Sequence, residues 1–98
     1  MIRVIYRWRV EPESFEAFRQ AWQRATNHIH ETVPGALGSF MLRGEEDPSD
    51  VLTVARWESR ESWKRFWGNR DPGQMRAMRA LGTRIDAEVF EEIEDYTR

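Results

Sequence analysis

The hydrophobic period of this 98-residue chain alternates between two residues and about 3.6, and each switch marks a new element of secondary structure. Residues 2–10 alternate between apolar and mostly arginine side chains, which predicts a strand with one buried face. The apolar residues on that face are Ile2, Val4, Tyr6, Trp8 and Val10. Pro12 then suits the first turn of a helix, and residues 15–32 place apolar side chains at steps of three and four. The Pro34-Gly35 pair ends this helix and turns the chain.

The rest of the chain shows the same two hydrophobic periods, which predict three further strands and a second helical region. Strands are predicted at residues 36–43, 51–58 and 84–93. Between the last two, Ser59 is a suitable N-cap for a helix that restarts at Asp71 and ends at Gly82. The order strand, helix, strand, strand, helix, strand predicts an α+β, ferredoxin-like βαββαβ fold. We therefore expect a single domain over residues 1–98, with both helices on one face of a four-stranded antiparallel sheet.

Composition excludes several classes of function. The chain contains no cysteine, which excludes a disulfide scaffold, a thiol nucleophile, a thiolate-bound zinc and a cysteine-held iron–sulfur cluster. The formal net charge is -2, so no overall positive field attracts nucleic acid or an anionic membrane. No apolar run approaches the roughly 20 residues of a membrane span, and the N-terminus lacks the apolar block of a signal peptide. We expect a cytoplasmic protein that binds neither nucleic acid nor membrane.

The two histidines do not form a metal site, because His28 and His30 would lie about 200° apart on the predicted helix. We therefore expect no bound metal. Two interpretations stay open for these residues. Either both are partly exposed near a helix C-terminus, where positive charge is mildly favoured, or one of them reaches the mouth of a pocket as a proton acceptor.

The alternation also predicts what lies on the sheet face away from the helices. If Thr53 faces the helices, Leu52 and Val54 lie on the opposite face. Ile5 and Phe90 join them there, interleaved with arginines and glutamates. Such a face is either solvated, with surface ion pairs worth about 0–1 kcal/mol each, or the centre of a homodimer in which two sheets pack together. We favour the homodimer, because an exposed apolar patch is a liability on a monomer.

Aromatic residues are abundant, with five tryptophans and five phenylalanines. The apolar stripes of the predicted helices include Trp22, Trp63, Trp67, Met75 and Met78. These residues fit a core beneath the helices, but they are wider and more adaptable than a two-helix layer usually requires. A pocket for a flat ligand, between the helices and the sheet, is the second interpretation.

Two segments resemble a known family. Residues 54–63, Val-Ala-Arg-Trp-Glu-Ser-Arg-Glu-Ser-Trp, are similar to the antibiotic biosynthesis monooxygenase (ABM) family, which ends its third strand with Trp-Glu-Ser and places an aromatic residue six positions after that tryptophan. Residues 33–38, Val-Pro-Gly-Ala-Leu-Gly, resemble the turn that follows the first helix of the family. The resemblance implies a homodimer whose two sheets form a dimeric α+β barrel, with a pocket in each subunit. It also implies oxidation of polycyclic phenols by molecular oxygen, with no metal or flavin cofactor.

The resemblance assigns roles to particular residues. Trp57 stands at the position of a pocket tryptophan, and Thr53 replaces an asparagine, which leaves one hydrogen-bond donor for a ring oxygen. Trp63 replaces a tyrosine, and either Arg76 or Arg79 corresponds to an arginine that stabilises an anionic intermediate. The implied catalytic set is therefore Thr53, Trp57 and one of these arginines. Substrate-binding residues are expected at Tyr6, Trp22, Trp63, Phe66, Trp67, Met75 and Met78.

These residues favour a cofactor-independent monooxygenase that oxidises an aromatic phenol or hydroquinone with molecular oxygen. The alternative is a non-catalytic binding or stress-associated dimer that sequesters an aromatic metabolite. Another branch of the family degrades haem and ligates its iron with a histidine about ten residues after a tryptophan on the second helix. Here Tyr6 and Phe66 replace that branch's asparagine and tryptophan, and no histidine follows Phe66, which disfavours haem degradation.

Overall fold

The computed structural model describes residues 1–68 and 73–97, in which a four-stranded sheet carries the helices on one face. The elements are β1 (Ile2–Arg9), a 3-10 helix (Pro12–Ser14), α1 (Phe15–Thr32), β2 (Ala36–Arg43), β3 (Asp50–Trp57), α2 (Arg60–Gly68), α3 (Gly73–Leu81) and β4 (Thr83–Glu91). The predicted order is confirmed, and the second helical region consists of α2 and α3. The expected N-cap Asp71 lies outside the described residues.

The strand order is β2-β3-β1-β4, and all neighbouring strands are antiparallel, so β1 and β3 occupy the centre of the sheet. This is the sheet of the ferredoxin-like fold, as predicted. The alternation in β1 has the expected effect, because Val4, Tyr6 and Trp8 are buried while Arg7 and Arg9 are exposed. We call the side that the helices cover the inner face and the opposite side the outer face.

The register between β1 and β3 confirms the predicted faces of the third strand. Thr53 is paired with Tyr6 on the inner face, and Val54 is paired with Ile5 on the outer face. On β2, the partner of Val54 is Phe40. Because paired residues point to the same side of a sheet, an apolar row of Phe40, Val54 and Ile5 crosses three strands of the outer face.

β4 departs from the predicted alternation at one position. Its register against β1 shifts just before Trp8, so that Trp8 is paired with Arg84 and Ile85 is the extra residue of a bulge. Strict alternation would place Ile85 on the inner face with Val89, and the bulge prevents this. Ile85 is 57% exposed, whereas Val89 packs against the core. Arg84 takes the inner position instead, with its guanidinium carbon 4.6 Å from the centroid of the Trp67 ring.

The turn after α1 packs against the start of α2. Gly35 adopts φ = +89°, and a Cβ at this position would lie 2.5 Å from both Cβ and Oγ of Ser62, so glycine is required here. The Gly35 carbonyl accepts a hydrogen bond from the Glu58 N–H at 2.8 Å. As predicted, Ser59 caps α2, because its Oγ accepts a hydrogen bond from the Ser62 N–H at 3.1 Å. These contacts hold α2 beside the end of β3.

The largest fully buried side chains of the core lie between α1 and the inner face of β1. Trp8 and Phe18 are almost fully buried, and their rings meet edge to face with centroids 5.1 Å apart. Met78 of α3 is 1% exposed and belongs to the same cluster. Toward the N-terminal end of β1, a small cavity interrupts the packing between the sheet and the helices.

Candidate functional site

The cavity between the inner face and the helices has a volume of about 50 Å³. Its lining includes these residues that the sequence predicts for the site: Tyr6, Trp22, Thr53, Trp57, Phe66, Met75 and Met78. The rest of the lining consists of Thr26, Ile29, His30, Ala36, Gly38, Ser39, Ala55 and Arg56. On the same measure a single water molecule needs about 10–15 Å³, so the cavity is small as it stands.

The solvent end of the cavity lies at an irregularity in β2. The pairing of β2 with β3 shifts between Ala36 and Ser39, and Gly38 adopts φ = +106°. A Cβ at Gly38 would lie 3.9 Å from Nδ1 of His30, and both residues line the cavity. His30 is exposed to solvent. Of the two histidines, the structure therefore places His30 and not His28 at the cavity.

Aromatic rings and thioethers form the apolar walls. Trp57 is 3% exposed, and its ring centroid lies 5.4 Å from that of Phe66, with the two planes tilted by 33°. Because Trp57 ends β3 and Phe66 lies on α2, this wall joins the sheet to the helix layer. Met75 and Met78 of α3 are 7% and 1% exposed. Such walls suit a flat apolar ligand, since methionine side chains adapt to irregular shapes.

Tyr6 supplies a buried hydroxyl to the lining. Its oxygen accepts a hydrogen bond from Nε1 of Trp63 at 3.0 Å. Burial raises the pKa of Tyr6 to about 12, against smaller lowering effects of the Trp63 hydrogen bond and the positive charge of Arg84. Tyr6 therefore stays protonated at neutral pH, where it serves as a hydrogen-bond donor and not as a base.

Thr53 supplies a second buried hydroxyl. It is 3% exposed, and its Oγ1 accepts a hydrogen bond from Nε1 of Trp8 at 3.3 Å. Its place beside Tyr6 follows directly from the register of β1 and β3. The contact with Trp8 uses a lone pair of the hydroxyl oxygen and leaves its proton for another acceptor.

Trp22 lies between the cavity and a larger hollow. It lines both the cavity and an open space of about 430 Å³, and Ser39 is also shared by the two. The other walls of this hollow include Phe15, Met41 and Arg43. Nε1 of Trp22 is buried and has no hydrogen-bond partner among the described residues. The Trp22 side chain therefore lies against both spaces.

Four residues predicted for the site do not belong to the described lining. Trp63 and Trp67 pack beside Tyr6: the centroid of the Trp67 ring lies 5.7 Å from that of Tyr6 and 5.9 Å from that of Trp63. Trp63 reaches the site only through its hydrogen bond to Tyr6. Arg76 is exposed and Arg79 is half-buried, and neither is among the described lining residues.

Arg84 is a cation near the site that the sequence did not reveal. It lies over the Trp67 ring, and its charge acts on the Tyr6 phenol. One guanidinium nitrogen, Nη1, is buried and has no hydrogen-bond partner in the described part of the chain. Strict alternation in β4 assigns Arg84 to the outer face. Only the bulge turns it inward, and no residue type in this strand marks the bulge.

The structure also bears on metals and membranes. Among residues 1–68 and 73–97, no group of three or more histidine, aspartate or glutamate side chains is placed to hold a metal ion. Within the same ranges, no helix combines the length and the apolar character that crossing a membrane requires.

The family comparison agrees with the resemblance found in the sequence. Residues 1–80 match the family model described as antibiotic biosynthesis monooxygenase. This match includes both segments that carry the resemblance. Comparison with functionally curated proteins gave no match.

Solved structures share the fold at low sequence identity. The chain is similar to SnoaB, a cofactor-independent oxygenase from Streptomyces nogalater, with 20% identity, a TM-score of 0.75 and coverage of 99% of this chain and 97% of that chain. A candidate antibiotic biosynthesis monooxygenase from Nitrosomonas europaea is 14% identical, with a TM-score of 0.76 and coverage of 96% of this chain and 100% of that chain. A candidate antibiotic biosynthesis monooxygenase from Deinococcus radiodurans is 17% identical, with a TM-score of 0.76 and coverage of 100% of this chain and 98% of that chain. At these identities the structures establish the fold.

Proposed function

Because this chain belongs to the antibiotic biosynthesis monooxygenase family, we propose that it is a cofactor-independent monooxygenase that oxidises an aromatic phenol or hydroquinone with molecular oxygen. The observation that carries the proposal is a partly open cavity with walls of rings and thioethers and two buried hydroxyls. Such a cavity encloses an electron-rich ring and offers hydrogen bonds to its oxygen. The description of SnoaB as a cofactor-independent oxygenase supports the proposal.

The proposed reaction takes all its electrons from the substrate. A phenol loses its hydroxyl proton to a base, and the phenolate transfers one electron to O2, which gives a phenoxyl radical and superoxide. The two combine through a new C–O bond at a ring carbon, and protonation gives a hydroperoxide. Loss of water then removes the hydrogen of that carbon and leaves a carbonyl. One oxygen atom of O2 ends in the quinone and the other in water.

Each role in binding falls to a different part of the lining. Trp57 and Phe66 would hold the ring, and Met78 would adapt to its outline. Thr53 would donate a hydrogen bond to the ring oxygen and stabilise the negative charge on it. A ring system larger than the cavity of about 50 Å³ would displace Trp22 toward the neighbouring hollow.

His30 is the proposed proton acceptor, because it lines the cavity at its solvent end. Imidazole is the side chain best suited to take up a proton near neutral pH. Tyr6 cannot do so, since it keeps its own proton. The resemblance gave Arg76 or Arg79 the task of stabilising the anion. As neither is among the described lining residues, the proposal assigns that task to hydroxyl donors.

Oxygen uptake by the purified, chelator-treated protein tests this function. The panel consists of anthrones, naphthols and hydroquinones, with no cofactor added. We expect one O2 consumed per quinone formed, and a rate about 100-fold lower for His30→Gln, since a general base contributes about 100-fold or more. Trp57→Phe should lower the rate as well. Ile85→Ala, at an exposed position outside the cavity lining, is the control. No uptake by the wild type with any compound would contradict the proposal.

A non-catalytic protein that binds an aromatic metabolite is the second candidate. The positions of Arg76 and Arg79 favour it, because neither of the arginines that the resemblance assigned to stabilise an anionic intermediate is among the described lining residues. Such a protein would bind compounds of the same panel, with a change in tryptophan fluorescence, and would consume no oxygen. Binding without uptake would select this candidate.

We also propose that the chain forms a homodimer through the outer face of the sheet. Phe40, Leu42 and Phe90 are 46%, 51% and 47% exposed on this face. Leu52 and Val54 lie beside the first two on β3. Arginines of β1 and carboxylates of β4 lie on the same face as these apolar residues. In a symmetric dimer, the apolar residues of one copy can pack on those of the other, and arginines of one copy can pair with carboxylates of the other. Contact between two copies would remove an exposure that is unfavourable on a monomer.

A further inference from the structure

Two buried hydroxyls of the cavity lining each accept a hydrogen bond from a tryptophan. Nε1 of Trp63 donates to Tyr6 at 3.0 Å, and Nε1 of Trp8 donates to Thr53 at 3.3 Å. An indole N–H donates and never accepts. Each contact therefore assigns the hydroxyl oxygen as the acceptor, and the hydroxyl proton has to point in another direction.

Neither of these protons has an acceptor in the described part of the chain. Within residues 1–68 and 73–97, the hydroxyls of Tyr6 and Thr53 take part in hydrogen bonds only as acceptors. Both side chains line the cavity, and they are 6% and 3% exposed. The raised pKa of Tyr6, about 12, keeps its proton in place at neutral pH. The cavity is the adjoining space that protein atoms leave free for these two O–H groups.

Trp22 adds a third donor. Its Nε1 is buried without a partner among the described residues, and its side chain lines the same cavity. A buried N–H without an acceptor destabilises a protein, and an oxygen atom on a ligand would satisfy it.

We infer that the cavity selects its ligand by the acceptors on the ring: it takes a ketone, quinone or phenolate oxygen and discriminates against an amine in the same place. The inference rests on the cavity being the binding site of the proposed function. Thr26, Ser39 and His30 can also accept, but they are less buried than Tyr6 and Thr53. In the proposed reaction, the site thus favours the phenolate that reacts and the quinone that results.

Two tryptophans act on this selectivity without belonging to the described lining. Trp8 and Trp63 are positioning residues, because each fixes the direction in which a neighbouring hydroxyl donates. Removing the Trp63 N–H would leave the Tyr6 hydroxyl in place but free its oxygen to accept from a ligand. The discrimination against donors should then weaken although no group of the lining has been removed.

Isothermal titration calorimetry with three two-ring probes, under anaerobic conditions, measures the selectivity. 1-Tetralone carries an acceptor, 1-aminonaphthalene carries donors, and naphthalene carries neither. We expect the wild type to bind 1-tetralone about tenfold more tightly than 1-aminonaphthalene, because a buried donor left without an acceptor lowers affinity by about that factor. Naphthalene should bind more weakly than 1-tetralone.

Variants assign the selectivity to the hydroxyls. Tyr6→Phe and Thr53→Val should each bring the ratio of the two affinities closer to one, while Thr53→Ser keeps the hydroxyl and should keep the ratio. Trp63→Phe should lower the ratio at least about threefold, through tighter binding of 1-aminonaphthalene. Tyr96→Phe removes a hydroxyl at an exposed position and is the matched control.

Several results would overturn the inference. One is that the wild type binds 1-tetralone and 1-aminonaphthalene with nearly equal affinity. Another is that the tenfold ratio of these two affinities persists in Tyr6→Phe, Thr53→Val and Trp63→Phe. Failure of all three probes to bind would overturn it too. If Thr53→Val does not fold, Tyr6→Phe and Trp63→Phe decide the question. A tenfold ratio without oxygen uptake would count only against the proposed oxidation.

Discussion

The two faces of the sheet carry similar residues and use them differently. On the inner face, Arg84 lies over the ring of Trp67, with the guanidinium carbon 4.6 Å from the ring centroid. On the outer face, arginines pair with a carboxylate: Arg3 and Arg56 both donate to Glu92, at 2.7 and 2.8 Å. The inner face uses its polar groups around a cavity, and the outer face uses them around an apolar surface.

The faces also differ in what covers their aromatic rings. Trp8 and Trp57 of the inner face are 1% and 3% exposed beneath the helices. Phe40 and Phe90 of the outer face remain about half exposed. The same alternation produces both faces, so the position of a ring relative to the helices, and not its residue type, decides whether it belongs to the core. The helices of the same chain cover the inner face, whereas the proposed homodimer would cover the outer face.

The largest expected effect separates the two faces by stability. Phe18→Ala removes a fully buried ring that packs on Trp8, and should lower the free energy of unfolding by about 3–5 kcal/mol. This loss should not depend on protein concentration. Phe40→Ala, on the outer face, is the matched change, and its cost should appear only at concentrations at which the dimer forms. Urea unfolding at two protein concentrations measures both. Equal, concentration-independent losses would contradict the distinction between the faces.

The second prediction concerns association. Leu52→Arg places an unpaired charge at the centre of the outer face, and should raise the dissociation constant of the dimer at least about 100-fold. Sedimentation velocity over a range of concentrations reports the change. Ile93→Arg, at a position 77% exposed and beyond the last strand, should leave association unchanged. A wild-type chain that sediments as a monomer at all concentrations would refute the dimer.

Alkaline pH tests the burial of Tyr6 on the inner face. Its pKa rises from 10.0 in the unfolded chain to about 12 in the folded one. A raised pKa of a phenol favours the folded state below pH 10, and that contribution is lost as the pH rises from 10 to 12. Two pKa units correspond to about 2.7 kcal/mol of unfolding free energy. Lys64 is the only lysine, so few other groups obscure the measurement.

Two variants isolate this effect. In Tyr6→Phe, most of the loss of stability between pH 10 and pH 12 should disappear. Tyr96→Phe, at a tyrosine that is 86% exposed, should keep it. The loss is measured by urea unfolding at several alkaline pH values, and an identical loss in wild type and Tyr6→Phe would show that Tyr6 is not its source.

The smallest expected effect lies in the ion pairs of the outer face. The hydrogen bond from Arg56, supported by that from Arg3, holds the pKa of the Glu92 carboxyl below its usual range. A lowered pKa favours the folded state above the ordinary value, and this contribution is lost as the pH falls through the folded-state value. Glu92→Gln should therefore be less stable than the wild type at neutral pH and equal to it in strong acid. Glu91→Gln, an exposed neighbour, is the control. A difference that stays constant with pH would refute this account.

Most of the fold follows from the sequence, because each strand and helix has its own hydrophobic period. The faces of β1 and β3 could be assigned before the structure was known, since both strands alternate without interruption. The bulge at Ile85 could not, because a single extra residue changes no composition and only the pairing with Trp8 reveals it. For the same reason the inward position of Arg84 was missed.

The site was harder to predict than the fold. Phe66, Trp63 and Trp67 share one helical stripe, but only Phe66 is among the residues that line the cavity. The rotation of α2 on the sheet decides this, and a single stripe does not specify a rotation. The hydrogen bonds from Trp8 to Thr53 and from Trp63 to Tyr6 likewise depend on distances between elements. The sequence predicted several residues of the cavity lining, and the structure is needed for the directions of their polar groups.

The location of a bound ring tests the central claim most directly. Intermolecular nuclear Overhauser effects between 1-tetralone and methyl-labelled protein distinguish the two faces. We predict contacts from the ring to Ile29, Met75 and Met78, which line the cavity. Contacts instead to Leu42 and Leu52 of the outer face would contradict the assignment of the cavity as the binding site.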